Sequence, residues 1–83
     1  MYKAIYTQWQ KMAQGSTIII NHTKDTRDKD KASFYYHDMI LCKHGLSLRL
    51  QQFDDTDKIR FYIPDNQIKD FWYDKDSLTI SII

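Results

Sequence analysis

Three consecutive runs of this chain place apolar residues at every second position: Met39 and Leu41, then Leu46, Leu48 and Leu50, then Ile59, Phe61 and Ile63. A period of two puts successive side chains on opposite faces of a strand, so each run reads as a half-buried β-strand. His44-Gly45 separates the first two runs, and Asp54 to Asp57 separates the second pair. Gly in a two-residue connection favours a tight hairpin turn. A turn at His44-Gly45 sets Leu41 against Leu48 and Met39 against Leu50. A turn through Asp54–Asp57 pairs Phe53 with Lys58, Leu50 with Phe61 and Leu48 with Ile63. Both hairpins then keep their apolar sets on one face.

The flanking segments extend this pattern. Residues 2–14 carry Tyr2, Ile5, Tyr6, Trp9, Met12 and Ala13 on one helical stripe, with Lys3, Thr7, Gln10, Lys11 and Gln14 opposite and Gly15 placed to end the helix. The N-terminus of that helix has no local capping residue. Residues 17–23, with Ile18, Ile19 and Ile20, read as a first strand. Residues 24–32 interleave basic side chains with Asp25, Asp28 and Asp30 and lack a large apolar one, which predicts a mobile charged loop. Pro64-Asp65-Asn66 breaks the chain. A last hairpin follows, with Phe71 against Ile80 and Tyr73 against Leu78.

The expectation is an α+β fold, a single domain over 1–83: helix 2–14, then strands near 17–23, 33–43, 46–53, 58–63, 68–74 and 78–83. They form a five- to six-stranded antiparallel sheet or a small partly open barrel. Helix followed by strands is similar in outline to the Sm-like and SH3-like barrels, but none of their sequence motifs is present and no family is assigned. An unpaired edge at Ile18–Ile20 or at Ile80–Ile83 would offer a second copy a strand to pair with, giving a homodimer.

The residue types narrow the chemistry. With only Gly15 and Gly45, the chain argues against a glycine-rich phosphate cradle. His22, His37, Cys42 and His44 lack the paired spacing of a zinc site, so no metal and no cofactor is expected. Cys42 beside His44 on a plain hairpin has no oxyanion-binding amides, and Asp54 with Asp55 lies in a turn, so no catalytic residue is assigned and the chain is not read as an enzyme. One cysteine, the lack of a secretory signal pattern and apolar runs far too short to cross a bilayer point to the cytoplasm, that of a host cell if the chain is phage-encoded.

Surface residues remain. The hairpin registers place Phe34, Tyr36, Ile40, Arg49, Arg60 and Tyr62 together on an outward face, and Trp72 between Asp70 and Asp74 on the last hairpin. Aromatics with arginines serve either protein docking or base stacking. Residues 1–53 hold eight basic and four acidic side chains and 54–83 hold four and seven, within a net charge of +1. The expected function is a small protein-binding module, such as a phage or mobile-element inhibitor that docks on a larger host or defence complex in the manner of anti-CRISPR proteins. Its partner-binding residues are Trp72, Asp70, Asp74, Tyr36, Arg49, Arg60 and Tyr62. The alternative is a nucleic-acid-binding small β-barrel that uses Tyr36, Arg49, Arg60, Tyr62 and the basic loop Lys24–Lys31. No membrane partner is expected.

Overall fold

The structure is a computed structural model. It describes residues 1–22, 32–52 and 58–83, with all their side chains except those of 22, 32–37, 50–52, 58 and 59. The loop expected at 24–32 falls almost wholly outside this set, as does the Asp54–Asp57 turn.

Among the described residues one helix, α1 (Tyr2–Gln10), precedes six strands: β1 (Thr17–His22), β2 (Ala32–Leu41), β3 (Gly45–Gln52), β4 (Lys58–Pro64), β5 (Ile68–Tyr73) and β6 (Ser77–Ile82). A one-turn 3-10 helix, Asp65–Gln67, joins β4 to β5. The fold is α+β. Hydrogen bonding runs in the order β4-β3-β2-β1-β6-β5 and does not close on itself. Two halves of three strands, β4-β3-β2 and β1-β6-β5, meet along the β1–β2 ladder, where Ile18 pairs with Phe34 and Ile20 with Ala32.

The arrangement is not the wholly antiparallel one that the sequence led us to expect. β1 and β6 run parallel, with Ile18 opposite Leu78 and Ile20 opposite Ile80. Parallel neighbours need a long crossover, and here the four intervening strands provide it. The pairing also removes both expected dimer edges. Ile18–Ile20 lies between β2 and β6, and Ile80–Ile82 lies between β1 and β5, so the edge strands are β4 and β5. Five of the six β6 residues are buried, including Thr79 and Ser81 on the face away from the core. Burial on both faces is the ordinary condition of strands in parallel pairs.

The core joins Ile5 and Trp9 of α1 to Ile18, Ile20, Met39, Leu46, Leu48, Ile63, Ile68, Leu78, Ile80 and Ile82. Tyr2, Tyr6 and Met12 pack at its rim, so the helical stripe does face the sheet. Regular helix nevertheless stops at Gln10 rather than 14. Lys11 N–H donates to Gln8 O and Met12 N–H to Trp9 O, the three-residue spacing of a tightened last turn. Gly15, at φ +90°, then turns the chain toward β1. The other end has a cap that no local pattern predicts. Asp65 Oδ1 accepts the Tyr2 N–H at 3.1 Å and lies 3.4 Å from the Met1 ammonium, a negative charge where a helix N-terminus favours one.

Two hairpin registers differ from expectation by two residues. Leu41 pairs with Leu46 and Met39 with Leu48, and Leu46 pairs with Ile63 and Leu48 with Phe61. A slip of two leaves every side chain on the same face, so the apolar pattern is kept while the rows change. The third hairpin matches: Phe71 faces Ile80 and Tyr73 faces Leu78.

Gly45 is where the β3–β4 ladder begins, opposite Pro64. A Cβ there would collide with the Ile63 carbonyl oxygen and stand 2.8 Å from the Pro64 Cα, both backbone atoms that cannot move aside cheaply. Gly45→Ala is expected to cost about 3 kcal/mol in urea unfolding, the upper end for overpacking, because neither backbone atom can give way. Gly15→Ala, which meets open space, costs about 1 kcal/mol through its positive φ alone. Equal costs would refute the close approach at Gly45.

Candidate docking face

β2, β3 and β4 form a meander whose inner side carries Met39, Leu46, Leu48 and Ile63 into the core. The intervening positions point outward and fall into two rows across the three strands. One is Ile40–Ser47–Tyr62 and the next is Asp38–Arg49–Arg60. Ile40 is 45% and Tyr62 49% exposed, large apolar groups that the helix leaves uncovered because it packs on the opposite side. Arg60 is exposed, and its Nη1 donates to Ser47 Oγ at 3.2 Å, which links the two rows.

Of the residues expected on this face, Arg49, Arg60 and Tyr62 are brought together, and Ile40 joins them. Tyr36 is not. A register shift between Tyr36 and Asp38 inserts one extra residue, so Tyr36 pairs with Leu50, in the backbone row that continues Leu46 and Leu48, rather than with the arginines. The same shift moves Phe34 to a position opposite Gln52. Asp38 and Ser47 are the residues that sequence reasoning missed. The two-residue slip that brings Arg49 opposite Arg60 leaves no trace in an alternating pattern.

The second expected patch divides. Trp72 is 48% exposed and directly opposite Thr79, an aromatic–β-branched cross-strand pair that helps bury that threonine. The helix lies on the opposite face, that of Leu78 and Ile80. Asp70 Oδ1 accepts the N–H of Phe71 at 2.8 Å, and exposed Lys69 and Asp70 blunt the β5 edge. Asp74 is committed to the β5–β6 turn: its Oδ1 accepts from the N–H groups of Asp76 and Ser77 and from Ser77 Oγ, at 3.0–3.1 Å. The acids beside Trp72 thus shape the hairpin.

Elsewhere, a cleft of about 320 Å³ is lined by Tyr2, His44, Pro64, Asp65 and Asn66. Its polar groups tie the chain together: Tyr2 Oη donates to Lys43 O at 2.7 Å and Asp65 N–H to His44 O at 2.8 Å. Cys42 Sγ points to the Ile40 carbonyl at 3.9 Å. Among the described residues no three His, Cys, Asp or Glu side chains are grouped to hold a metal ion, and no helix is long and apolar enough to cross a membrane. The side chains of His22 and His37 and the basic loop 24–31 lie outside the described residues.

No protein-family model, curated protein or solved structure matches this chain.

Hydrogen bonds from the Asp76 N–H, and then from the Ser77 hydroxyl, hold the Asp74 carboxyl below its ordinary pKa. A group depressed in the folded state contributes stability above its unfolded pKa, near 3.9 for Asp, and loses it as pH falls through the lower folded value. Asp74→Ala is therefore expected to lower the urea midpoint at neutral pH, and the gap to wild type narrows once the carboxyl protonates. A gap that is constant or widens as pH falls would contradict a role for the charge.

Proposed function

We propose that this chain is a small non-catalytic module that binds a larger protein through the outer face of β2–β3–β4. The observation that carries this reading is the Ile40–Ser47–Tyr62 row, two large apolar side chains left half-exposed on a strand surface next to a charged row. Exposed aromatic and arginine side chains are the usual anchors of protein interfaces. A standard interface takes about 800 Å² from each partner, a substantial share of the 5486 Å² this molecule exposes. Trp72, on the outer face of β5 opposite Thr79, offers a second apolar spot. A cytoplasmic inhibitor of a host or defence complex, anti-CRISPR-like, is one role that suits so small a docking module.

The competing reading is nucleic-acid binding, which draws on Tyr62 beside Arg49 and Arg60. Asp38 in the same row and a net charge of only +1 weigh against it.

Capture with tagged protein from a cell lysate, with and without nuclease, compares wild type with the double variant Ile40→Ser, Tyr62→Ser. Surface changes of this kind alter stability by only about 0.5 kcal/mol, so the variant should still fold, and a matched melting temperature checks it. The expected result is a stoichiometric protein that survives nuclease and is lost with the variant. Retention by the variant would remove this face as the interface. Loss on nuclease treatment would replace protein docking with nucleic-acid binding.

A further inference from the structure

Arg49 and Arg60 are direct cross-strand partners in the β3–β4 ladder. Like charges directly opposite one another destabilise a strand pair. Asp38, opposite Arg49 on the other side, can offset one of the two charges. Arg60 stands on the edge strand β4, and its register partner is another cation. The Arg60 hydrogen bond to Ser47 Oγ draws its guanidinium over β3 toward the Ile40–Ser47–Tyr62 row. A positive charge is thereby held beside exposed apolar surface.

We infer that this face recognises an acidic segment of a partner protein, one carboxylate seated on Arg60 and Arg49 with an apolar side chain beside it on Ile40 and Tyr62. This rests on the docking reading above and adds the chemistry of the partner. A guanidinium fork matches a carboxylate in two parallel hydrogen bonds, and the incoming negative charge relieves the Arg49–Arg60 repulsion. A long polyanion suits the face less well. A phosphate track following the charged row would meet Asp38, and a chain of net charge +1 has little long-range field to attract one.

The test is an amide and arginine-Nε chemical-shift titration of the whole protein with three probes: a blocked peptide of alternating Leu and Asp, its Leu and Asn counterpart, and oligo-dT. The expected result is that the acidic peptide shifts Ile40, Arg49, Arg60 and Tyr62, and that Arg60→Gln weakens it about tenfold or more while leaving the spectrum otherwise native. Equal binding of the Asn peptide on the same residues would overturn the carboxylate inference and leave the docking reading in place. No shift on this face with either peptide would also overturn the inference, with docking still judged by capture of a protein partner. Stronger binding of oligo-dT across the arginine row would overturn both.

Discussion

The parallel pairing of β1 with β6 is the contact on which the rest of the molecule depends. It joins a strand near the start of the chain to the last one, Thr17 beside Ser77 through His22 beside Ile82. Closing a loop of that length costs entropy before any contact is gained. The return is a run of aliphatic side chains, Ile18, Ile20, Leu78, Ile80 and Ile82, buried together with Ile5 and Trp9 of the helix. At about 25 cal/mol per Å² of apolar surface removed from water, such a cluster is the main stabilising term available to a domain this small. Each half of the structure then extends outward from this centre, β5 on one side and β2-β3-β4 on the other.

That arrangement decides which surfaces are left over. With α1 on the core side, the outer face of the meander receives no cover from the chain's described residues, and Ile40 and Tyr62 remain half-exposed there. The other half treats its outer face differently. Thr79 and Ser81 are small enough to be buried among their neighbours, and Asp70 and Asp74 spend their carboxylates on backbone N–H groups. That half closes around Thr79 and Ser81 and leaves Trp72 half-exposed beside its committed acids, whereas the other presents two apposed arginines next to apolar surface. The functional proposal follows from that asymmetry.

Much of the fold was legible because periodicity reports which face a residue takes. The in-or-out assignment of Met39, Leu46, Leu48, Ile63, Leu78 and Ile80 follows from alternation alone. Register is another matter. Alternation is blind to a slip of two, so only the β5–β6 hairpin, pinned by the Asp74 turn, came out in its true pairing. The extra residue between Tyr36 and Asp38 has no signal in composition, and it separates Tyr36 from the arginine row. Parallel pairing of β1 and β6 was hidden because each Ile-rich strand looked equally suited to an edge. The cap on α1 comes from Asp65, far along the chain, where no local reading would look. Of the candidate site, Arg49, Arg60 and Tyr62 could be named from the sequence, while Asp38, Ser47 and the Arg49–Arg60 apposition needed the backbone.

Native-state amide hydrogen exchange tests the central claim most directly. If β1 and β6 form the buried centre, bonded on both sides, the amides of Ile18–Ile20 and Leu78–Ser81 exchange most slowly, near the rate set by global unfolding. The edge strands β4 and β5 exchange faster. Exchange of β6 at the same rate as β5, with β1 poorly protected, would mean that the last hairpin stands apart from the first strand and that the parallel β1–β6 pair is not the centre of the fold.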